Sequence, residues 1–288
     1  MPIPELSRTI FALSSLIRAR VLAENLANSI PGSGRNILHR VLLNFAGVAA
    51  FLLLWEIAPR LLPGTNVQMF PPPSLVLKTA WPMILSGELL ENIVVSLGRA
   101  LAGFIIAAII AIVLGVVMAR FRIVCQLSEP VLHGFRSIPV IALVPLAVLW
   151  FGIGETSKIA LIVCGAFFPI WINTFIGVRD VHPIYLRSAA CLGAPRLKTM
   201  LLVVLPAALP MILAGLRQAI AVSLIVLVAA ELSGATLGVA HMMSLGYQLF
   251  KVDVMFIGLF VLGTLGFLAD RTFVWLTARL FPWYLTLK

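Results

Sequence analysis

Residue types that carry chemistry are sparse in this chain and are not spaced for catalysis. No phosphate-binding GxxxxGKS/T loop, dinucleotide-binding GxGxxG turn or GxSxG nucleophile motif occurs. The histidines are scattered and form no metal-ligand cluster; they are His39, His133, His182 and His241. We therefore predict that the chain has no catalytic residue, holds no metal or cofactor, and is not an enzyme.

A second set of polar residues lies inside long apolar stretches. If those stretches cross a membrane, polar groups within them usually face the interior and often mark a transport path. The candidates for such a path are Asn173, Thr174, Arg217, Gln218, Ser223 and Glu231. Arg217 would suit an anionic cargo, but we favour a structural role in which it snorkels to the inner surface or caps carbonyls. Glu231 is predicted to be a gate or loop-anchoring residue rather than a cargo ligand.

Residues 187–206, RSAACLGAPRLKTMLLVVLP, predict two short helices that meet at a glycine. RSAACL has helix-forming character, and Gly193 follows where a helix would end in the left-handed conformation. Pro195 suits the first turn of a new helix, because its missing N–H would have no partner there. Pro206 is expected to end the second helix just before the next apolar stretch.

The surface of this knob (residues 187–206) is predicted to suit contact with another protein. Ala189 and Ala190 have short side chains, so that a partner's backbone could come close to the helix. Three cations could then fix the orientation of that partner through salt bridges; they are Arg187, Arg196 and Lys198.

The composition indicates that the chain is solvated by a bilayer. Hydrophobic residues make up 61% of its 288 residues, and charged residues make up only 11%. A soluble domain would carry about a quarter charged residues. The net charge of +10 is better explained by Lys and Arg in cytoplasmic loops than by nucleic-acid binding.

Six apolar stretches are candidates to cross a hydrocarbon core about 30 Å thick, which needs roughly 20 helical residues. The predicted spans are 41–58, 100–119, 138–153, 159–178, 209–230 and 254–276. The stretch 138–153 is short and contains two prolines, and such a broken helix is stable at membrane depth only inside protein or beside a water-filled cavity. We predict an all-α integral membrane protein with about six transmembrane helices.

Lysine and arginine residues set the predicted orientation. Fifteen lie on the side that is cytoplasmic if both termini are inside, counting Arg271 in the inner half of the last span, against five in the outer segments. This bias is typical of cytoplasmic loops, so the knob is placed on the cytoplasmic side of the inner membrane. We predict a cytoplasmic or interfacial segment 1–40 and a multi-pass transmembrane domain 41–288 that carries the cytoplasmic loop 180–206.

Two stripes of small residues recur at every fourth position of the predicted spans. They are Gly103, Ala107, Ala111 and Gly115 in one span and Gly215, Ala219 and Ser223 in another. Small stripes let helix backbones approach closely in lipid. Either an interface between two copies of the chain or ordinary packing within one bundle would explain them.

The knob resembles the EAA signature of the membrane subunits of ATP-binding-cassette importers, which reads roughly EAA-x3-G-x9-I-x-LP. Arg, Ser and Ala at 187–189 occupy the EAA places, and Gly193 is the glycine. After nine intervening residues Val203 takes the isoleucine place, and Leu205-Pro206 closes the motif. The departures are Arg for Glu and Ser for the first Ala.

Other segments are similar to the nitrate/sulfonate/taurine permease subfamily of these importers. They are FPPPSLV (70–76), SLGRALAGF (96–104), RSIPVIALVPLAVLWFGIGETSK (136–158) and GLRQAI…LVAAEL (215–232). The resemblance covers about residues 40–285 and implies the type I importer permease (MetI-like) fold.

The resemblance also implies partners and a role. Two copies of the chain, a homodimer, would form the path for a small oxyanion such as a sulfonate, taurine or nitrate. Two ATPase subunits, which would hold ATP and Mg, would bind beneath, and an extracytoplasmic substrate-binding protein would deliver cargo. The knob would be the coupling helix; its residues are Arg187, Ser188, Ala189, Ala190, Gly193, Ala194, Pro195, Arg196, Leu205 and Pro206. An ion-coupled secondary carrier or a channel for a small anion is the alternative.

Overall fold

A computed structural model of the chain describes residues 34–61 and 69–281. Most of the predicted N-terminal segment 1–40 lies outside the described residues, so its assignment stays a prediction. The first helix, α1 (Gly34–Leu61), belongs to one compact unit, and the helices from residue 73 onward belong to another. With 28 residues, α1 covers the first predicted span.

The described residues form helices joined by short turns, with no strand among them. After α1 the helices are α2 (Pro73–Leu85), α3 (Glu88–Arg120), α4 (Arg122–Arg136), α5 (Val144–Phe151), α6 (Glu155–Arg179), α7 (Pro183–Cys191), α8 (Arg196–Thr199), α9 (Leu205–Leu232), α10 (Val239–Gln248) and α11 (Val252–Leu280). A 3-10 turn (Val140–Leu143) precedes α5, and a π-helical segment (Met200–Val204) joins α8 to α9. The predicted all-α class is confirmed.

Four helical runs in the described residues are long and apolar enough to cross a membrane: α3, α6, the run from α8 to α9, and α11. They cover the predicted spans 100–119, 159–178, 209–230 and 254–276. Under the predicted orientation, the knob lies at the cytoplasmic end of α6 and α9, and residues 233–251 lie at their outer end.

The predicted span at 138–153 is wrong as a single crossing element. It contains the 3-10 turn and the eight-residue α5, which is too short to span a bilayer. Pro139 and Pro145 lack backbone N–H groups, so each stands where a helical segment starts. This region could cross only together with α4, across a bend of 88°.

Helix α6 packs between α3 and α9, and the small-residue stripes make this packing possible. A Cβ added to Gly103 would lie 2.5 Å from the Cγ2 atom of Ile162 in α6. One added to Gly215 would lie 2.8 Å from the Cβ of Asn173 and 2.9 Å from the carbonyl oxygen of Pro169. The stripes therefore serve helix packing within one chain, where close backbone contact supplies the stabilisation that hydrophobic burial cannot supply in lipid.

Candidate functional site

The glycine of the knob ends α7 as predicted. Gly193 has a φ of +67°, and its N–H donates to the carbonyl oxygen of Ala190 at 3.0 Å. The N–H of Ala194 donates to the carbonyl oxygen of Ala189, also at 3.0 Å. This pair of hydrogen bonds is the Schellman motif, which satisfies two carbonyls at a helix end and requires a left-handed residue.

The second half of the knob is continuous with α9. Pro195 is the N-cap of α8, one residue before the helix starts at Arg196. The π-helical segment follows directly, and the helical run continues to Leu232. The expectation that Pro206 ends a helix is therefore wrong: it lies in the first turn of α9, after the wider π turn, where its missing N–H is tolerated.

The surface of the knob is exposed, and its tip is apolar. Leu192 and Leu197, on either side of Gly193, are 86% and 70% exposed. We call Leu192, Gly193 and Leu197 the loop tip. Ala190 is exposed as predicted, whereas Ala189 is buried, because α7 packs against the π-helical segment on that side.

The charged residues of the knob point away from the rest of the chain. Arg187, Ser188 and Arg196 are exposed, as is Lys198. Within the described residues none of the three cations forms a salt bridge. Their charges are therefore available to a partner.

The predicted path residues fall into two groups. Thr174 is fully buried against α3, and its hydroxyl has no hydrogen-bond partner among the described residues. Ser223 is also buried, and its hydroxyl donates to the carbonyl oxygen of Ile220 at 2.8 Å. Asn173 and Gln218 reach the surface between α6 and α9, where the Asn173 amide lies 3.3 Å from the Gln218 oxygen. Their assignment to a path stays a prediction.

Arg217 is held by a carboxylate of the last helix. Its Nε and Nη2 atoms donate to the two oxygens of Asp270 in α11, at 2.6 and 2.8 Å. The two side chains are 55% and 39% exposed in the isolated chain. A bidentate pair of this kind lowers the cost of an arginine at membrane depth. These two contacts of Arg217 are thus with a carboxylate rather than with the backbone carbonyls expected from the sequence, and its assignment to a path stays a prediction.

A buried polar cluster at the outer ends of the helices was not predicted. Glu231, 1% exposed near the end of α9, accepts from the Ser96 hydroxyl at 2.7 Å and from Arg99 Nη1 at 2.8 Å. Its second oxygen accepts from the N–H of Ala240 at 3.0 Å. Glu231 thus holds the first turn of α10, and its assignment to a transport path or gate stays a prediction.

Helix α3 supplies the rest of the support for the start of α10. The N–H of Gly238 donates to Asn92 Oδ1 at 2.7 Å, and the N–H of Val239 donates to Ser96 Oγ at 2.8 Å. The N–H groups at a helix start lack partners within their own helix. Here side chains from α3 and α9 satisfy three of them in succession, so α10 begins at a fixed point.

Arg99 connects four elements at this point. Its Nε and Nη2 atoms donate to the two oxygens of Glu155, the first residue of α6, at 2.5 and 2.7 Å. Its Nη1 atom donates to Glu231 and to the carbonyl oxygen of Leu237 at 2.6 Å. We call Asn92, Ser96, Arg99, Glu155 and Glu231 the outer clamp.

The sequence contained one signal for the clamp that was missed. Arg99 is one of the five cations that the orientation argument assigns to outer segments, because the predicted span begins at residue 100. Asn92, Ser96 and Arg99 are spaced four and three residues apart, which places them on one face of a helix. The helix begins at Glu88, so all three residues lie within it rather than in a loop. Their shared face is buried.

A cavity of about 580 Å³ opens beside α10 on the outer side. Its polar lining residues include Glu88, Glu91, His241, Lys251 and Asp253. Thr79 donates to Asp253 at 2.6 Å across its wall, joining α2 to α11. In the described residues no three His, Cys, Asp or Glu side chains come together as metal ligands.

Known proteins are similar to this chain in sequence and in fold. The family model described as "Binding-protein-dependent transport system inner membrane component" matches residues 111–282, more than half of the chain. A crystal structure titled as an amino acid ABC transporter superposes with a TM-score of 0.50 at 16% identity, covering 72% of this chain and 96% of that one. This likeness concerns the fold alone.

Two relatives are similar along most of their length. A Bacillus subtilis protein named as an aliphatic sulfonates transport permease is 34% identical over 82% of this chain and 85% of the relative. The taurine transport system permease protein of Escherichia coli is 34% identical over 85% of this chain and 90% of the relative. The predicted importer-permease resemblance, the fold and the inner-membrane location are confirmed. This chain belongs to the family of binding-protein-dependent transport system inner membrane components, the permease subunits of ABC transporters.

Proposed function

We propose that this chain is the membrane permease of an ATP-driven importer and that the knob transmits the ATPase cycle to the transmembrane helices. The observation that carries the proposal is the loop tip. Two strongly exposed leucines flank a rigid left-handed glycine, on a segment bounded by α6 and α9. An exposed apolar tip of this kind is suited to a groove in another protein.

Rigid connections support transmission of force through the knob. The Schellman motif fixes the end of α7, and the helical run from α8 through α9 has 37 residues. Displacement of the tip would move the inner end of α9 directly. ATP and Mg would bind the partner ATPase, whose closure favours one position of the tip, and the permease follows that preference.

A second copy of the chain would complete the path. Gln218 and Arg217 are exposed on α9 at membrane depth, next to exposed Ala214 and Ala221. Polar groups at this depth face protein or water rather than lipid. A homodimer that encloses this face of α9 would give these groups a polar environment, with Asn173 of α6 at its edge.

The proposed cargo is a small oxyanion such as a sulfonate, taurine or nitrate. The relatives named for aliphatic sulfonates and for taurine support this class. Because Asp270 neutralises Arg217, the path carries little free positive charge in this conformation. Selection among anions would therefore depend on the substrate-binding protein.

The first test is co-purification of the ATPase with loop-tip variants. Leu192→Asp should reduce recovery of the ATPase on the tagged permease about tenfold or more, because a charge replaces a central apolar contact. Leu249→Asp, at a residue that is 62% exposed on the outer side, is the matched control and should leave recovery unchanged. Equal recovery with both variants, at equal amounts of inserted permease, would contradict the docking role.

The second test is uptake by proteoliposomes that contain the permease, its ATPase and its binding protein. Taurine, methanesulfonate, nitrate and bicarbonate are supplied in turn with ATP inside the vesicles. Vanadate-sensitive uptake of at least one anion is expected. ATP-independent uptake driven by an ion gradient would instead support the secondary carrier or channel.

A further inference from the structure

We propose that Arg99 is a positioning residue that links the coupling-loop helices to α10, so that the outer helix follows the ATPase cycle. This inference rests on the proposed function. The structure provides three observations for it: which helices Arg99 joins, how unequal its two carboxylate partners are, and what α10 lines.

The two carboxylates bound by Arg99 lie on the two helices that carry the knob. Glu155 is the first residue of α6, whose other end leads into α7. Glu231 lies one residue before the end of α9, whose other end continues from α8. A change in the angle between α6 and α9 at the knob must therefore alter the separation of these carboxylates.

One guanidinium can hold both carboxylates only within a narrow range of helix positions. Nε and Nη2 form a fork on Glu155, while Nη1 reaches Glu231 at 2.8 Å. Bidentate pairing depends on planar alignment of the two groups. When the outer ends of α6 and α9 separate, Arg99 must release one partner.

Burial indicates which partner is released. The Glu155 side chain is 57% exposed, whereas the Glu231 side chain is 0% exposed. Water can solvate a released Glu155, but a released Glu231 would be an unpaired buried charge, which is far more costly. Lys158, with Nζ 3.4 Å from Glu155 Oε1, is placed to stay with it. Arg99 should therefore remain with α9 and leave α6.

Arg99 and Glu231, the pair that stays together, hold the start of α10. Glu231 binds the N–H of Ala240, and Arg99 binds the carbonyl oxygen of Leu237. Helix α10 lines the outer cavity through residues such as His241, Met242 and Leu245. Movement of the outer end of α9 would thus carry α10 and reshape the cavity mouth.

The test measures the position of α10 in the complete permease–ATPase complex in proteoliposomes. Tyr247, 69% exposed on α10, is changed to Cys, and the native Cys125, Cys164 and Cys191 are changed to Ala. The rate of labelling by a membrane-impermeant maleimide is compared without nucleotide and after trapping with ATP and vanadate. The rates are expected to differ about tenfold, a typical size for coupling between distant sites.

Arg99→Lys separates positioning from folding. Lysine keeps the charge near Glu231 but lacks the planar fork that holds Glu155. Helix α6 would then no longer restrain α10 in the nucleotide-free state, so the ratio of the two labelling rates should fall well below that of the complex with Arg99 intact. A purely structural role would raise labelling in both states and leave their ratio intact. Lys78→Gln removes an exposed cation on the same side and should preserve the ratio.

Two results would overturn the inference. One is a Tyr247→Cys complex with Arg99 intact that imports an anion while the introduced thiol is labelled equally fast in both states. The other is an Arg99→Lys complex that retains the full ratio of labelling rates. A complex with Arg99 intact that binds its ATPase but shows no ATP-driven import contradicts the proposed function instead, so the two failures are distinguishable.

Discussion

Gly238 connects α9 to α10 at the outer clamp, and its replacement by alanine should be unusually destabilising. Its φ and ψ are +127° and +159°, a region that is essentially restricted to glycine. An added Cβ would lie 2.5 Å from the Cδ and Oε1 atoms of Glu231. The substitution therefore adds backbone strain and a steric clash at one position.

The two contributions have different sizes. Backbone strain should cost about 1–3 kcal/mol. The clash is with the end of a flexible side chain, but Glu231 can move only by giving up hydrogen bonds to Ser96, Arg99 or Ala240. Losing one buried charged hydrogen bond costs about 1.5–3 kcal/mol. The total is about 2.5–6 kcal/mol, or a fall in melting temperature of roughly 5–12 °C for a chain of this size.

Two other glycines provide the controls for thermal unfolding of the purified protein. Gly87 has a φ of +81° with nothing within 4 Å of an added Cβ, so Gly87→Ala should show strain alone, about 1–2 kcal/mol. Gly98, inside α3, has an ordinary φ and open space, so Gly98→Ala should be neutral or slightly stabilising. If Gly238→Ala melts no lower than Gly87→Ala, Glu231 is free to move and the clamp does not hold it.

Two further predictions concern polar side chains on the helices. Thr174→Val removes a buried hydroxyl that has no partner among the described residues. The melting temperature should stay the same or rise, with a gain of at most about 1 kcal/mol in the free energy of unfolding. Thr79→Val is the matched control and should melt lower, because its hydroxyl donates to Asp253. Asp270→Asn should lower the melting temperature by leaving Arg217 without its carboxylate, and adding Arg217→Met should recover part of the loss. If the double variant loses as much stability as the two single variants lose together, the Arg217–Asp270 pair contributes nothing to stability.

Local rules account for the parts of the fold that the sequence predicts well. Gly193 could be placed because a helix end with a left-handed glycine depends on neighbouring residues only. The long spans could be placed because apolar length alone defines them. The prediction for Pro206 is wrong because a π turn, for which the sequence carries no local signal, places this residue in the first turn of α9.

The outer clamp was not predicted because its partners are distant in sequence. Arg99 lies 56 residues from Glu155 and 132 residues from Glu231. The positive-inside rule counts such an arginine as a solvated loop residue and assigns it no partner. Only the packing of α3, α6 and α9 makes it a buried ligand of two carboxylates.

The π-helical segment between α8 and α9 has a consequence for how the loop tip faces its partner. A π turn contains one residue more than an α turn, so it rotates every preceding side chain by about 100° relative to the helix that follows. The azimuth of Leu197 around the axis of α9 is therefore set by a single extra residue at 200–204. Related permeases could re-aim the same tip, without changing any residue in it, by gaining or losing one residue in this turn.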